Sequence, residues 1–326
     1  MDQGRAGEGE VIRARGLRRT FRTRGSVVEA VKGVDLDVER AEVFGFLGPN
    51  GAGKTTTLRM LSTLLPPSGG TAIVAGAELL RQPEEVRTRI GYVGQSGGSD
   101  EQVSGRSEMV LQGRLYGMSR AEARVRAAEL LRTLELEDAA DRPTRTYSGG
   151  QKRRLDIGIG LMHRPLLLFL DEPTTGLDPQ SRSRMWREVR RLRDDGTTVF
   201  LTTHYLEEAD ALCDRIAIID HGTVVALGTS AELKRQIAGD VVTIGVDGDP
   251  AATLALLRDQ PFVREAETHE GTIRVYVDHG ESATPLILRL LDANHTALTT
   301  LSLARPTLDD VFLKKTGHSL REEKAA

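Results

Sequence analysis

Aromatic side chains and cysteines are scarce in this chain, and long apolar runs are missing. Phe, Trp and Tyr make up 4% of the 326 residues, so aliphatic side chains must fill the core. The single cysteine, Cys213, excludes an internal disulfide and fits a reducing compartment. The most apolar stretch, PLLLFL at 165–170, has the length of a buried strand and cannot cross a bilayer. We therefore expect no transmembrane segment and, from the polar start MDQGRAGEGE, no secretory signal peptide.

Neither acidic nor basic residues are in large excess. The chain has 44 basic and 47 acidic residues, a net charge of −3, which gives no overall attraction to nucleic acid. Basic residues do recur from Arg13 to Arg24, but they nearly alternate with apolar residues such as Leu17 and Phe21. Such alternation is typical of strands with one solvated face. We assign these residues to edge strands and expect no nucleic acid as a partner.

The clearest chemical signal is a glycine-rich turn between a short apolar strand and a helix. The strand Val43–Leu47 leads into GPNGAGKTT, which matches the pattern G-x-x-x-x-G-K-[ST]. Backbone N–H groups of such a turn converge on phosphate oxygens, and the helix that follows adds the positive end of its dipole. We expect Lys54 to reach the β- and γ-phosphates of a nucleotide and the Thr55 hydroxyl to ligate Mg²⁺. The predicted nucleotide-binding residues of this turn are Gly48, Pro49, Asn50, Gly51, Ala52, Gly53, Lys54, Thr55 and Thr56.

Two further predicted strands end in side chains suited to phosphate hydrolysis. The apolar run 166–170 is followed by Asp171 and Glu172, and the strand at 197–203 is followed by His204. Ligands of parallel α/β sheets gather at the carboxyl ends of the strands. We expect Asp171 to face the metal, Glu172 to take a proton from the attacking water and His204 to contact the γ-phosphate. The structural alternatives are solvated acids at a strand end and a capping or packing histidine.

A second stretch suited to phosphate, YSGGQKRRLD, begins at Tyr147. Ser148 can cap the helix that follows, and the glycines leave the helix N-terminus open to an anion. An ordinary capped helix start is the structural alternative, and it is compatible with phosphate binding. The predicted binding residues of this stretch are Ser148, Gly149, Gly150 and Gln151.

In the order and spacing of these motifs, residues 11–235 resemble the nucleotide-binding subunit of an ATP-binding-cassette (ABC) transporter. The glycine-rich turn resembles the Walker A loop, SGGQ the family signature, and Leu167–Glu172 the Walker B strand with its catalytic glutamate. Gly176–Asp178 resembles the D-loop, and His204 the switch histidine. Gln95, in GYVGQ, resembles the Q-loop glutamine.

This resemblance implies a fold, cofactors and roles. The fold is α/β, a P-loop NTPase nucleotide-binding domain at 11–235 with an inserted helical subdomain at about 96–160. ATP and Mg²⁺ are the implied cofactors, and Phe21 stands where the family has an aromatic residue that stacks on adenine. The implied catalytic residues are Glu172, His204, Lys54 and Gln95, the metal ligands are Thr55, Gln95 and Asp171, and Asp178 joins the residues that bind nucleotide.

The resemblance also implies partners. In the family two cassettes face each other head to tail, and each ATP lies between the Walker A loop of one chain and the signature of the other. We therefore expect a homodimer in which Ser148, Gly149 and Gly150 hold the partner's nucleotide. Since no span is expected in this chain, a separate transmembrane permease subunit is implied, with the protein peripheral on the cytoplasmic face of the membrane. The run VSGRSEM at 103–109 departs from the family pattern and leaves partner specificity open.

The remainder of the chain, 236–320, has a different pattern. Its apolar periodicities predict β-α-β-β-α-β, the ferredoxin-like α+β order, as a smaller accessory or regulatory domain. It carries no catalytic cluster, and regulation, dimer contact and simple stabilisation remain open as its role. The ending RPTLDDVFLKKTGH at 305–318 resembles the daunorubicin-resistance type of ABC ATPase, which energises drug export.

The functional expectation is an ATPase subunit that couples ATP-driven dimerisation and hydrolysis to efflux of a drug, antibiotic or other amphipathic solute. The alternative is a soluble ABC-type ATPase acting on ribosomes, DNA or cofactor assembly without a permease. Against it, the chain has a single cassette and lacks sustained heptads. A nucleotide sensor that scarcely hydrolyses is disfavoured, because a sensor needs neither Glu172 nor His204.

Overall fold

The computed structural model describes residues 9–23, 25–236, 239–247, 250–269, 271–304 and 306–318. The start of the chain, for which no signal peptide is predicted, lies outside these ranges, as do Arg24 and Arg305. The chain divides into two compact units between Leu227 and Gly228. Each unit is described by itself.

The centre of the first unit is a six-stranded sheet. Its strands are β3 (Val43–Leu47), β6 (Ile90–Val93), β7 (Leu167–Asp171), β8 (Thr198–Thr203), β9 (Arg215–Asp220) and β10 (Thr223–Gly228). They lie in the order β10-β9-β3-β8-β7-β6, and the pairs from β9 to β6 are parallel. Every residue of β3, β7 and β8 is buried, which explains why these strands read as continuous apolar runs.

The scarce aromatic residues concentrate at the middle of this sheet. The rings of Phe44, Phe46 and Phe169 surround Phe200, with centroid separations of 5.4 to 5.6 Å. All four side chains are fully buried. This cluster fixes β3, β7 and β8 side by side, and these are the strands whose ends carry the predicted hydrolytic side chains.

A second, four-stranded antiparallel sheet completes the β structure of the first unit. Its strands are β1 (Glu10–Thr23), β2 (Ser26–Glu39), β4 (Gly69–Val74) and β5 (Ala77–Glu78), in the order β2-β1-β4-β5. The assignment of the early arginines to edge strands is wrong, because β1 lies between β2 and β4. The alternation itself is as predicted, since Ile12, Ala14 and Leu17 are buried while Arg15 and Arg18 are exposed.

Seven α-helices are described in the first unit: α1 (Lys54–Leu61), α2 (Pro83–Arg89), α3 (Gly105–Leu115), α4 (Arg120–Thr133), α5 (Gly149–Gly160), α6 (Pro179–Asp194) and α7 (Leu206–Leu212). Helices α3, α4 and α5 lie between β6 and β7 in the chain and correspond to the predicted helical insertion. Helix α4 begins with a capping box between Ser119 and Glu122. Within the described ranges, every helix is too short or too polar to span a lipid bilayer.

The second unit confirms the predicted ferredoxin-like order. Its elements are α8 (Ser230–Arg235), β11 (Asp240–Asp247), α9 (Pro250–Arg258), β12 (Val263–His269), β13 (Thr272–Val277), α10 (Gly280–Ala293), β14 (Ala297–Ala304) and α11 (Leu308–Thr316). The strands pair antiparallel in the order β12-β13-β11-β14. Helix α11, from the ending LDDVFL, buries Leu308, Val311 and Phe312.

Candidate functional site

The glycine-rich turn between β3 and α1 owes its shape to close backbone contacts. A Cβ atom on Gly48 would lie 2.2 Å from the carbonyl oxygen of Ile219, and one on Gly53 would lie 2.6 Å from that of Ala30. Gly53 also has φ 102° at the start of α1, a left-handed conformation that glycine adopts readily. Larger side chains would push the turn out of its path, so the sequence GPNGAGK specifies this loop.

Next to the turn is a cavity of about 470 Å³. It is lined by Ala30, Asn50, Gly51, Gly53, Lys54, Thr55, Thr56, Gln95, Glu172, Thr175 and His204. The cavity therefore joins the Walker A-like turn to three of the predicted hydrolytic side chains, which come from distant parts of the sequence. A volume of this size is in the range of small-ligand sites.

A cavity of similar size, about 490 Å³, lies against β1, β4 and β5. Its arginines Arg13, Arg15 and Arg81 each pair with a nearby carboxylate at 2.6 to 3.3 Å. None of the predicted site residues lines it. Of these two cavities, only the first is therefore lined by predicted site residues.

The predicted catalytic side chains converge on Glu172. Its Oε1 lies 3.3 Å from Nδ1 of His204 and 3.6 Å from Nζ of Lys54. Its Oε2 accepts hydrogen bonds from Nε2 of Gln95 at 3.1 Å and from Oγ1 of Thr175 at 3.2 Å. One carboxylate is therefore in contact with all three other residues predicted to act in hydrolysis.

The surroundings of Glu172 favour its ionised form. The contact with the His204 ring, whose Nδ1 lies 3.3 Å from Oε1, lowers the pKa of the Glu172 carboxyl, helped by the positive charge of Lys54, while burial opposes this shift. The residue has φ 46°, a left-handed conformation uncommon for a residue with a side chain. Its backbone N–H donates to Oγ1 of Thr202 at 3.0 Å. A hydrogen bond to the neighbouring strand β8 thus fixes the backbone of Glu172. Its carboxylate, when ionised, can accept a proton.

Asp171, one residue earlier, forms a compact set of oxygen atoms with two threonines. Its side chain accepts hydrogen bonds at Oδ1 from Oγ1 of Thr55 at 3.0 Å and from Oγ1 of Thr202 at 2.6 Å. Asp171 is 1% exposed, so these contacts are shielded from bulk water. Carboxylate and hydroxyl oxygens are the hard ligands that Mg²⁺ prefers. The residues present fit this ion.

The side chain of Lys54 lies along the glycine-rich turn that precedes it. Its Nζ donates to the carbonyl oxygens of Gly48 at 2.8 Å and Pro49 at 2.9 Å. The residue is 5% exposed. The ammonium group therefore lies between the turn that precedes α1 and the carboxylate of Glu172.

The signature-like residues form a second group. Ser148 caps α5 in a capping box: its Oγ accepts from the backbone N–H of Gln151 at 3.2 Å, and Oε1 of Gln151 accepts from the N–H of Ser148 at 2.9 Å. A Cβ atom on Gly150 would lie 2.9 Å from Oγ of Ser181, and one on Gly149 would lie 3.9 Å from Leu177. The signature turn thus packs against the start of α6.

Asp178 belongs to this second group. It caps α6, and its carboxylate accepts from the N–H and the hydroxyl of Ser181 at 2.9 and 2.6 Å. The hydrogen bonds from Ser181 lower the pKa of the Asp178 carboxyl. The structure describes Ser148, Gly149, Gly150, Gln151 and Asp178, and none of them lines the cavity beside the Walker A-like turn.

Other predicted binding residues also lie outside the cavity lining. Phe21 is on β1, where its ring centroid lies 4.8 Å from the guanidinium carbon of Arg19. Gly48, Pro49 and Ala52 belong to the turn but do not line the cavity.

Sequence reasoning missed two residues of the site, Thr175 and Thr202. Thr175 contacts Glu172 from the loop after β7, and Thr202 contacts Asp171 from β8. The signal available was weak: threonines are common in strands and turns. Their importance depends on which strand lies beside β7, which only the folded chain shows.

Comparison with known proteins supports the family resemblance. Residues 31–175 match the family described as ABC transporter, and residues 228–316 match the family described as ATP-binding protein DrrA1-3-like, C-terminal domain. The daunorubicin/doxorubicin resistance ATP-binding protein DrrA of Streptomyces peucetius is 47% identical over 302 residues, covering 89% of this chain and 88% of that protein. The linearmycin resistance ATP-binding protein LnrL of Bacillus subtilis (strain 168) is 38% identical, covering 90% of this chain and 95% of that protein.

Solved structures show a similar fold. The ATP-binding cassette MJ0796, in a dimeric post-hydrolysis state bound to ADP and Pi, matches with a TM-score of 0.62 and 26% identity. The match covers 67% of this chain and 98% of that chain. The similarity thus spans nearly the whole of the solved cassette.

Proposed function

This chain belongs to the ABC transporter family, and from that premise we propose that it hydrolyses ATP to drive export of a drug or antibiotic through a separate membrane subunit. The observation that carries the proposal is the convergence of Lys54, Gln95 and His204 on the carboxylate of Glu172. Relatives named for resistance to daunorubicin, doxorubicin and linearmycin support drug export over a role without a permease.

The residues of the first cavity provide the steps of hydrolysis. The N–H groups of the Walker A-like turn and the start of α1 bind the β- and γ-phosphates of ATP. Water attacks the γ-phosphorus, its proton passes to Glu172, and the bond to the ADP oxygen breaks with its electron pair leaving on ADP. The lowered pKa of Glu172 keeps it ionised and able to accept that proton.

The γ-phosphate also changes the partners of Glu172. Lys54 and His204 contact this carboxylate, and both are suited to bind a phosphate oxygen. When the γ-phosphate enters, it competes for the same two side chains, so the carboxylate is released toward the attacking water. Gln95, which donates to Oε2 of Glu172, then orients that water.

We assign the metal site to Thr55, Asp171 and Gln95. Mg²⁺ bound there would neutralise charge that develops on the β- and γ-phosphate oxygens. Thr202 orients Asp171 through its hydrogen bond to Oδ1. The ammonium group of Lys54 complements the phosphate charge.

The second group of residues binds the nucleotide of the partner chain. Ser148, Gly149 and Gly150 lie at the N-terminus of α5, outside the cavity of their own chain. We infer a head-to-tail homodimer in which these residues and Asp178 complete the partner's ATP site. The dimeric state of the related cassette with ADP and Pi supports this arrangement. Phe21 is assigned to stacking on the adenine ring.

The remaining assignments concern the chain as a whole. Residues 11–235 form the catalytic domain, whose helical insertion at about 96–160 contacts the permease, and residues 236–320 form an accessory domain. The protein is placed on the cytoplasmic face of the membrane through the permease.

A complementation experiment tests the shared site. Ser148→Arg blocks the signature of one chain, and Lys54→Ala blocks the Walker A-like turn of the other. Each variant alone should be inactive, whereas a heterodimer of the two contains one intact composite site and should recover hydrolysis. Differently tagged chains are co-purified so that heterodimers are known to be present. Absence of recovery in purified heterodimers would refute the shared site.

A further inference from the structure

Arg153 is a buried arginine on α5 that is bonded to the backbone of the hydrolytic centre. It is 7% exposed. Its Nη1 donates to the carbonyl oxygen of Gly94 at 2.5 Å, its Nη2 to that of Asp171 at 2.8 Å, and its Nε to that of Pro173 at 3.0 Å. Each of the three guanidinium nitrogens therefore donates a hydrogen bond to the carbonyl group of a different peptide.

These three carbonyl groups flank the residues predicted to perform hydrolysis. Gly94 directly precedes Gln95, and Asp171 and Pro173 lie on either side of Glu172. A single guanidinium thus fixes the peptides that carry both Gln95 and Glu172. Because the guanidinium group is planar and rigid, it sets the spacing between these peptides more tightly than a flexible donor could.

Asp156, one turn later on α5, holds the other side of the Gln95 segment. Its Oδ1 accepts from the backbone N–H of Gly98 at 3.4 Å. A Cβ atom on Gly97 would lie 2.7 Å from Oδ2 of Asp156, so the segment passes close to this carboxylate. Gln95 is therefore held before and after its position by side chains of the same helix.

The N-terminus of this helix is the signature turn. Ser148 caps α5, and Arg153 follows it at roughly 1.5 Å of helix rise per residue. A helix this short moves as a rigid element, so a displacement of its N-terminus displaces Arg153 and Asp156 with it. The signature turn is therefore linked to the peptides beside Glu172 through Arg153, and to the Gln95 segment through both Arg153 and Asp156.

We propose that Arg153 is a positioning residue that makes the placement of Glu172 and Gln95 depend on the position of the signature helix. The proposal rests on the function inferred above, in which the signature binds the partner's ATP. ATP held at that signature then improves the register of this chain's own hydrolytic side chains. Hydrolysis at each site is therefore faster when the other site is also occupied, and a dimer with a single intact site hydrolyses ATP more slowly per site than a dimer with two.

The first test compares Arg153→Lys with Arg154→Lys. Arg154 is 8% exposed on the same helix, but its charge interacts with Glu135 and Glu188. A lysine at 153 can reach fewer of the three carbonyls, and a displacement of the catalytic groups by an ångström lowers a rate by roughly 100-fold. We expect kcat to fall roughly 10- to 100-fold in Arg153→Lys, with ATP affinity within about twofold of wild type.

Cooperativity and stability are measured on the same proteins. The Hill coefficient for ATP in hydrolysis should fall toward one in Arg153→Lys and stay at the wild-type value in Arg154→Lys. Thermal unfolding is followed by fluorescence of Trp186, the single tryptophan of the chain. A loss of kcat in both variants that follows their loss of thermal stability would overturn the proposal, as would an unchanged kcat in Arg153→Lys.

The second test separates effects on the two halves of a composite site. In the heterodimer of Ser148→Arg and Lys54→Ala chains, the Ser148→Arg chain supplies Glu172 and the other chain supplies the signature. Adding Arg153→Lys to the Ser148→Arg chain should slow hydrolysis, whereas adding it to the other chain should leave most of the rate. Two results would contradict positioning of Glu172. One is slower hydrolysis only when the signature-supplying chain carries Arg153→Lys, and the other is equal slowing whichever chain carries it.

Two controls keep the outcomes distinct. If Arg153→Lys does not fold, Asp156→Ala tests the same link from the other side of Gln95, with a smaller fall in kcat expected at unchanged ATP affinity. An inactive heterodimer before Arg153 is changed would count against the shared site and hence the proposed function. The homodimer comparison of Arg153→Lys with Arg154→Lys would then still decide whether Arg153 positions Glu172.

Discussion

Thr55 and Asp171, 116 positions apart in the chain, share a hydrogen bond of 3.0 Å between Oγ1 and Oδ1. Thr55 comes from the first turn of α1 and Asp171 from the end of β7. The contact joins the hydroxyl and the carboxylate predicted to bind Mg²⁺, and Thr55 lines the cavity that we assign to the phosphates.

Thr55→Val should weaken the binding of the Mg²⁺ that supports hydrolysis. The substitution keeps the shape of the side chain and removes the hydroxyl ligand. We expect the Mg²⁺ concentration needed for half-maximal hydrolysis to rise roughly 10- to 100-fold. Thr57→Val is the matched control, since Thr57 is fully buried on the same helix and its hydroxyl has no hydrogen-bond partner among the residues that the structure describes. Equal Mg²⁺ dependence in the two variants would exclude Thr55 as a ligand.

Glu172→Gln should stop turnover while leaving nucleotide binding intact. The amide keeps the size of the side chain but is a far weaker base, so hydrolysis should fall by roughly 10²- to 10⁴-fold. ATP that cannot be cleaved should hold the dimer closed, which light scattering with and without ATP measures. Lys54→Ala provides the contrast, because it should lose ATP binding as well. Hydrolysis at the wild-type rate in Glu172→Gln would rule out Glu172 as the base.

His204→Ala should shift the pH dependence of hydrolysis. The contact with His204 is the main cause of the lowered pKa of Glu172, so its removal raises that pKa toward the ordinary carboxyl value. Glu172 must be ionised to accept a proton, and activity falls as pH drops through its pKa. The acidic limb of kcat should therefore move to higher pH in the variant, with each profile scaled to its own maximum. His295→Ala, which changes an exposed histidine, should leave the limb in place; a shift of the His204→Ala limb to lower pH would contradict this assignment.

Glu208→Gln should stabilise the protein at neutral pH. Glu208 is fully buried on α7, where its Oε1 accepts from Nε1 of Trp186 at 3.2 Å, and burial raises the pKa of its carboxyl. A raised pKa in the folded state means that stability is lost as pH rises, because the unfolded chain ionises more readily. The Tm of the variant should exceed that of wild type at neutral pH, and the difference should shrink as pH falls toward the ordinary carboxyl value. A difference that grows on acidification would show that the buried charge is stabilised by its surroundings.

Much of the site could be predicted because its motifs are local. The turn Gly48–Thr56 is specified by glycines that avoid backbone clashes, and the capping box at Ser148 by side chains three residues apart. Strands β7 and β8 were recognisable as apolar runs ending in polar residues. In the second unit, the periodicity of each element was enough to predict the βαββαβ order, which the sheet confirms.

Other parts could not be predicted, since they depend on which distant segments become neighbours. The assignment of β1 to a sheet edge was wrong because alternation reports a solvated face and not the number of neighbouring strands. Thr202 and Thr175 are ordinary threonines until β8 and the loop after β7 bring them to Asp171 and Glu172.

Local sequence is enough to specify the glycine-rich turn, the paired acids after a buried strand and the capped start of α5, since each is built from residues close together in the chain. The contacts of Arg153 with the peptides beside Gln95 and Glu172 depend on the folded chain, as does the position of the signature residues outside their own chain's cavity. These features differ because hydrogen bonding and burial act over a few ångströms in space. Their partners are therefore chosen by packing, and sequence distance carries no record of that choice.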